Sequence, residues 1–331
     1  MNLNLGTMID FPSPPAEKKG WPWINDITTG LPVMTNGKPW PKISVVTPSF
    51  NQGQFLEETI RSVLMQNYPN FEYIIIDGGS SDNSVEIIKK YEPWISYWVS
   101  EKDNGQAHAI NKGLKLCTGE IFNWINSDDY LMPNALRIIA EGIYDFDVVA
   151  GSVTNFSVTS EKTIQSTDLV VKKMIAGDTA VIYQQPGTWL RTNNLKNVGL
   201  LDEDFNYSFD WLMTINYLNK HSNVNYITDT LAKFRLHQDS KTVKQGLEFR
   251  REILLISLGL MYHEGYRNNY CTEAIECLQK YLWVEEIDRL KSNSRSGFDK
   301  SISLVSAMFR NIALYPYRYA VGAIRKILLN S

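Results

Sequence analysis

Between Lys42 and Val153, short β-branched runs alternate with stretches of helical periodicity. That alternation restricts the possible folds more than any other feature of the chain. "KISVVTPSF" is an apolar run that ends at Pro48. Leu56, Ile60, Val63 and Leu64 then recur at helical spacing until Asn67–Pro69 stops the helix. "FEYIIID" (71–77) reads as a second buried strand, and the "GGSSDNS" turn carries N-cap residues for a helix holding Val85, Ile87 and Ile88. "ISYWVS" (95–100) is a third strand, 105–116 a helix, and "EIFNWIN" (120–126) a fourth strand. A helix is expected from Pro133 to Tyr144, and "DVVAGSV" (147–153) is a fifth strand. Strands and helices alternating at this spacing specify α/β architecture, with a mostly parallel sheet covered on both faces.

Beyond Gly151 the rhythm changes. Residues 152–167 are polar and β-branched and suggest a hairpin. A short helix is expected at 169–175, a strand near 187–191, a helix from Phe209 to Lys220, and a strand in "VNYITDTLAKFRLH" (224–237). From Lys244 the chain reads as largely helical. Residues 1–41 hold seven prolines and the tryptophans Trp21, Trp23 and Trp40. Proline disfavours helix, whereas large apolar rings tend to dock. The expected layout is an extended arm (1–41), a catalytic domain (42–243, divided into 42–150 and 151–243) and a helical C-terminal extension (244–331).

The length of 331 residues allows a substantial core. A hydrophobic fraction of 44% and a charged fraction of 21% are those of a soluble globular protein. A net charge of −3 gives no electrostatic footprint for nucleic acid. Cys117, Cys271 and Cys277 are too sparse for a disulfide framework. Cys271 and Cys277 have no companion at zinc-ligand spacing, so both are expected in helical cores. Neither a signal-peptide pattern nor a membrane-spanning apolar run is visible, so the expected location is cytoplasmic, or peripheral on the cytoplasmic membrane face.

In open α/β sheets, ligands bind beyond the carboxyl ends of the strands. The first strand ends in Thr47-Pro48-Ser49-Phe50-Asn51, the second in Asp77-Gly78-Gly79-Ser80, the fourth in Asn126-Ser127-Asp128-Asp129. Parallel strands would bring all three clusters to one crevice. Adjacent carboxylates at Asp128 and Asp129 suit Mg2+ or Mn2+, which accepts one or two protein carboxylates and leaves positions for phosphate oxygens. The plainer alternative is that one of them caps the helix starting near Pro133. Asp77 could accept a hydrogen bond from a base N–H, or bond its own turn backbone.

The blocks "SVVTPSFNQGQFLEETIRSVLMQ", "YIIIDGGSSDNS", "SEKDNGQAHAINKGL" and "GEIFNWINSDDYLMPNAL" resemble, in order and spacing, those of family 2 glycosyltransferases with the GT-A (Rossmann-like) fold. The likeness is dense from 42 to about 140 and thin to about 243. It implies an inverting transfer from a nucleotide-diphospho-sugar donor. By the resemblance, Thr47, Pro48, Ser49 and Ser127 lie at the nucleotide, Asp77 at its base, and Asp103 near nucleotide and donor sugar, with Gln106 and Asn111 beside it. Asn126-Ser127-Asp128 stands at the family's metal motif, with Asn for the first Asp. Metal binding then rests on Asp128, with Asp129 as helper or sugar-binding group. "LDEDFNYSFDWLMTINYL" resembles the block before the helix that carries the general base, which makes Asp210 the base. "QQPGTWLR" resembles the strand facing the acceptor pocket. Gln185 is expected to bond a sugar hydroxyl there, and Trp189 either to stack on a sugar or to pack in the core. "FRLHQDSKT" resembles a late loop in which His237 approaches the metal or diphosphate, and Arg235 or Lys241 neutralises phosphate charge.

Tyr317, Val321, Ile324 and Leu328 form a helical stripe within the basic stretch 310–331, which would suit contact with an anionic membrane or packing on the protein itself. The expected function is sugar transfer from a UDP- or dTDP-sugar to a glycan or lipid-linked oligosaccharide. Two alternatives are weighed. A nucleotidyltransferase would want a Gly-rich basic loop after the first strand, where "TPSFNQGQF" has neither Arg nor Lys. A decayed nucleotide-sugar-binding scaffold would be consistent with Asn126. A dehydrogenase is disfavoured, since no G-x-G-x-x-G follows the first strand.

Overall fold

A computed structural model describes residues 11–24, 33–238, 240–241, 246–260, 266 and 269–293. The described residues fall into two compact units: one from Met1–Val171 and Thr179–Gly246, the other from Lys172–Asp178 and Leu247–Ser331. The 317–328 stripe, the basic stretch around it and His263 lie outside the described residues.

The first unit is built on a mixed sheet. In chain order the elements are β1 (Ile43–Ser49), α1 (Gly53–Leu64), β2 (Phe71–Asp77), α2 (Ser84–Tyr91), β3 (Tyr97–Ser100), α3 (Gln106–Leu116), β4 (Ile121–Trp124), β5 (Tyr130–Leu131), α4 (Ala135–Gly142), β6 (Val148–Phe156) and β7 (Glu161–Gln165). α5 (Val171–Ile175) follows, all but its first residue belonging to the second unit. The first unit resumes with β8 (Thr188–Arg191), α6 (Thr192–Val198), α7 (Phe209–Leu218) and β9 (Val224–Arg235). The strand order is β3-β2-β1-β4-β8-β6-β9-β5, with β7 paired to β6. β1 pairs in parallel with β2 and β4, and β2 with β3. β8 runs antiparallel to both β4 and β6. The near-continuous apolar character of β1 and β2 follows from burial on both faces. Gly113 lets α3 lie close on β1, since a Cβ there would be 2.5 Å from Val46 Cγ1. The core gathers Val45, Leu56, Ile60, Ile75, Ile121, Leu136, Val149 and Trp189.

One local boundary changes, and two short elements carry no sequence signal. α4 starts at Ala135 rather than Pro133, because Asn134 takes a left-handed conformation (φ 62°) before it. β5 is only two residues long and exists through its pairing with distant β9. α6 is too short to show a periodic apolar face. The predicted hairpin at 152–167 is the antiparallel β6–β7 pair.

The described part of the arm docks on the domain. Trp21 Nε1 donates to Leu131 O (2.7 Å). The buried Arg61 of α1 donates to Pro12 O (2.7 Å) and Pro22 O (3.1 Å), with its guanidinium over the Phe11 and Trp23 rings.

The second unit holds α8 (Gly246–Leu260), except for its first residue, and α9 (Cys271–Asn293). Lys172 pairs with Glu273 at 3.0 Å, and Lys280 donates to the carbonyls of Ala176 and Gly177. Cys277 is buried in this unit and Cys271 is exposed. Among the described residues, no helix is long and apolar enough to cross a membrane.

Candidate active site

The parallel register brings the strand ends together. Ser49 is the partner of Asp77, and Asp77 of Ser100, so three carboxyl ends lie side by side. Asp77 is fully buried. Its Oδ2 accepts from Gly79 N (3.1 Å), Ser80 N (2.9 Å) and Ser100 Oγ (2.6 Å), and its Oδ1 from Ser80 Oγ (2.5 Å). These bonds make it the turn aspartate of the simpler expectation, placed at the crevice. Asp103 lies against Gly78: a Cβ at 78 would be 2.7 Å from Asp103 Oδ2, so the Asp77 turn and Asp103 adjoin at that glycine. Asp103 Oδ1 accepts from Gly105 N (2.8 Å). Thr47 Oγ1 accepts from Tyr73 Oη (3.0 Å). Ser49 Oγ is buried without a hydrogen-bond partner among the described residues.

The Asn126–Asp129 turn faces this group from β4. Asp128 Oδ2 lies 3.0 Å from His237 Nε2, and both side chains are only partly exposed. Asp129 is buried; its Oδ1 accepts from Arg235 N (2.9 Å) and its Oδ2 from Asn126 Nδ2 (3.1 Å). Burial, and next the charge of Asp128, push the Asp129 carboxyl well above the usual range, against the pull of Arg235 and Asn126. Asn126 Oδ1 accepts from Gln106 Nε2 (2.8 Å), and Gln106 Oε1 accepts from Lys241 Nζ (3.0 Å). The amide at 126 thus joins two sides of the site and avoids setting a third carboxylate against Asp129. Neither Asp128 nor Asp129 caps α4, whose N-cap position is Asn134.

Asp210 lies in the first turn of α7, where its Oδ1 accepts from Trp211 N (2.8 Å). Burial and then the Asp210 charge push the Tyr183 phenol well above its ordinary value. The start of α7 meets the site through Phe209, whose ring is 6.3 Å from that of Trp124 and 6.0 Å from Lys241 Nζ. Lys241 also donates to Asn206 O (2.8 Å).

Four of the side chains expected at ligands bond or pack within the protein, Trp189 in the core packing that is its alternative expectation. Trp189 is fully buried in the core and has no face for a sugar. Gln185 turns its amide nitrogen to Asn123 Oδ1 (2.8 Å) and Trp124 O (3.0 Å), within the protein. Asn111 spends its amide on both Leu201 backbone groups and on Glu203. Arg235, expected at a phosphate, instead bonds Glu58 Oε2 (2.5 Å) and Asp128 O (2.9 Å). Sequence reasoning missed Thr59, which holds the aspartate turn from α1, and its neighbour Glu58, which holds Arg235. Helical periodicity carries no signal for them, since polar residues on a helix ordinarily read as solvent-facing.

Among the described residues, no group of three or more His, Cys, Asp or Glu side chains gathers as a metal site. Asp128 and His237 nevertheless present a carboxylate and an imidazole to one point. That pair fits a divalent cation completing its shell with phosphate oxygens and water.

Residues 44–199 match the family model "Glycosyl transferase family 2". An uncharacterized glycosyltransferase of Rickettsia typhi is 27% identical over 225 residues, which are 62% of this chain and 67% of that protein. The glycosyltransferase GlyG of Streptococcus pneumoniae is 34% identical over 119 residues, 34% of this chain and 40% of its own. Among solved structures, S. aureus TarS 1–349 in complex with UDP-GlcNAc aligns with a TM-score of 0.57 at 21% identity, covering 84% of this chain and 82% of that one. The mannosyltransferase PcManGT of Pyrobaculum calidifontis, in complex with GDP-Man and Mn2+, aligns with a TM-score of 0.55 at 16% identity, covering 89% and 92%. At these identities the structural likeness is one of fold.

Proposed function

We propose, from the match of residues 44–199 to glycosyl transferase family 2, that this chain moves a sugar from a UDP- or dTDP-linked donor to a hydroxyl of a glycan or lipid-linked oligosaccharide, with inversion. The observation that carries the reading is the convergence of Asp77, Asp103 and the Asp128–His237 pair at the carboxyl ends of parallel strands. UDP and UDP-GlcNAc in TarS support the donor class. In this reading residues 42–243 are the catalytic domain, with the reaction on the cytoplasmic side.

Each residue then has a task. Thr47, Pro48, Ser49 and Ser127 line the nucleotide, and the unpartnered Ser49 hydroxyl is available to it. The turn built on the buried Asp77 meets the base, and Asp103 lies near the nucleotide and donor sugar. Asp128 and His237 would hold Mn2+ or Mg2+, which when bound neutralises diphosphate charge and eases its departure. Gln106 lies beside the donor sugar, and the buried Asp129 is the helper that holds the turn under Asp128. Asp210 takes the acceptor hydroxyl's proton as the oxygen attacks the anomeric carbon; that C–O bond forms while the bond to diphosphate breaks, its electron pair leaving with the diphosphate.

The test pairs calorimetry of UDP with Mn2+ and a transfer assay over nucleotide sugars. Asp128→Ala should weaken UDP·Mn2+ binding by more than about tenfold. Asp210→Asn should bind UDP·Mn2+ normally and lose about 10²–10⁴ in turnover. Unchanged nucleotide binding in the first variant, or full turnover in the second, removes that residue from its role.

A further inference from the structure

Three consecutive carbonyls of the aspartate turn are each taken by a side chain from elsewhere. Thr59 Oγ1 donates to Ser127 O (3.0 Å) and Asp129 O (2.6 Å), sharing one proton between them. Arg235 Nε donates to Asp128 O (2.9 Å), and Arg235 N to Asp129 Oδ1 (2.9 Å). The turn closes on itself through Asp129 N to Asn126 O (3.0 Å). Further along α1, Ser62 Oγ accepts from Leu131 N (3.0 Å), and just past the helix Gln66 Nε2 donates to Met132 O (2.9 Å). Thr59, Ser62 and Gln66 are all buried, so polar side chains of α1 and of the turn after it are spent on residues 127–132.

Arg235 is itself immobilised. Its Nη2 meets Glu58 Oε2 at 2.5 Å, and its Cζ lies 4.6 Å from the Phe156 ring centre and 4.7 Å from that of Phe55. The Phe55 ring also packs on the His237 imidazole at 4.9 Å. Arg235 ends β9, and His237 follows two residues later. The same residue therefore grips the turn carrying Asp128 and sits at the root of the segment carrying His237.

We propose that Arg235, braced by Glu58 and acting with Thr59, is a positioning residue that fixes the Asp128 carboxylate against His237 in the geometry a divalent cation requires. The inference rests on the reading of Asp128 and His237 as the ion's holders. A planar guanidinium can serve a carbonyl and a carboxylate at once while stacked between two rings; a lysine ammonium cannot. Holding ligands in place before binding removes an ordering cost that would otherwise weaken the ion.

The experiment measures Mn2+ affinity in the presence of UDP, together with the electron paramagnetic resonance line shape of bound Mn2+, on folded full-length protein. Urea denaturation monitors stability separately. Arg235→Lys and Thr59→Val should each weaken Mn2+ by about 10–100-fold and alter the line shape, as loss of a partner behind a metal ligand typically does. Thr59→Ser keeps the hydroxyl and should restore both. If Arg235→Lys and Thr59→Val are less stable but bind Mn2+ with wild-type affinity and line shape, while Asp128→Ala does not bind, the positioning role is refuted and the metal pair stands. Wild-type Mn2+ binding in Asp128→Ala overturns both.

Discussion

Glu72→Gln probes a buried carboxylate at the end of the sheet opposite the candidate site. Glu72 accepts from Ser44 Oγ (2.5 Å), Thr118 N (2.5 Å), Thr118 Oγ1 (2.8 Å) and Gly119 N (3.1 Å), and pairs with Lys42 at 2.6 Å. Burial pushes its pKa up, but bonds from Lys42, Ser44 and Thr118 outweigh it and bring the value from 4.5 to about 2. A depressed carboxylate pKa stabilises the fold above the unfolded value and loses that contribution as pH falls through the folded one. The shift corresponds to about 3 kcal/mol at neutral pH, more than half of it gone by about pH 3. The substituted side chain would keep the shape of Glu72 but turn an amide NH2 toward a ring of donors. Urea denaturation of both proteins between pH 7 and 3 should show a gap of about 3 kcal/mol near neutrality that narrows below pH 5. An equal gap at pH 7 and pH 3, or none at pH 7, would refute the idea that these donors stabilise the ionised carboxylate.

Asp129→Asn should flatten the fall of thermal stability with rising pH, while setting an amide NH2 against Asn126 Nδ2, which donates to the native Oδ2 (3.1 Å). Burial and the neighbouring Asp128 make the charged carboxylate costly, and an amide removes that cost. A fall with pH as steep as that of the wild type would contradict the assignment. Gly113→Ala should destabilise the fold by about 1–3 kcal/mol in denaturant titration, since its Cβ would lie 2.5 and 2.8 Å from the two Val46 methyls. A change under about 0.5 kcal/mol would mean that α3 can lift from β1 at little cost.

The chain's local pattern was enough to determine that strands and helices alternate from 42 to 153, and that polar clusters follow their carboxyl ends. A two- or 3.6-residue period is a property of neighbours in sequence, and it survives whatever the rest of the chain does. The family blocks were legible for the same reason. What only the tertiary structure decided was where polar side chains point. Trp189 and Gln185 lie in a block that resembles an acceptor-facing strand, yet one is core and the other bonds β4. Arg235 reads as a free cation in its loop and is found clamped by Glu58 and two rings. Asp128 finds His237 across 109 positions only because β5 pairs with β9 and brings that strand's end to the turn. Such partners are separated by most of the domain, and the burial that fixes a side chain's direction comes from elements that no local period can specify.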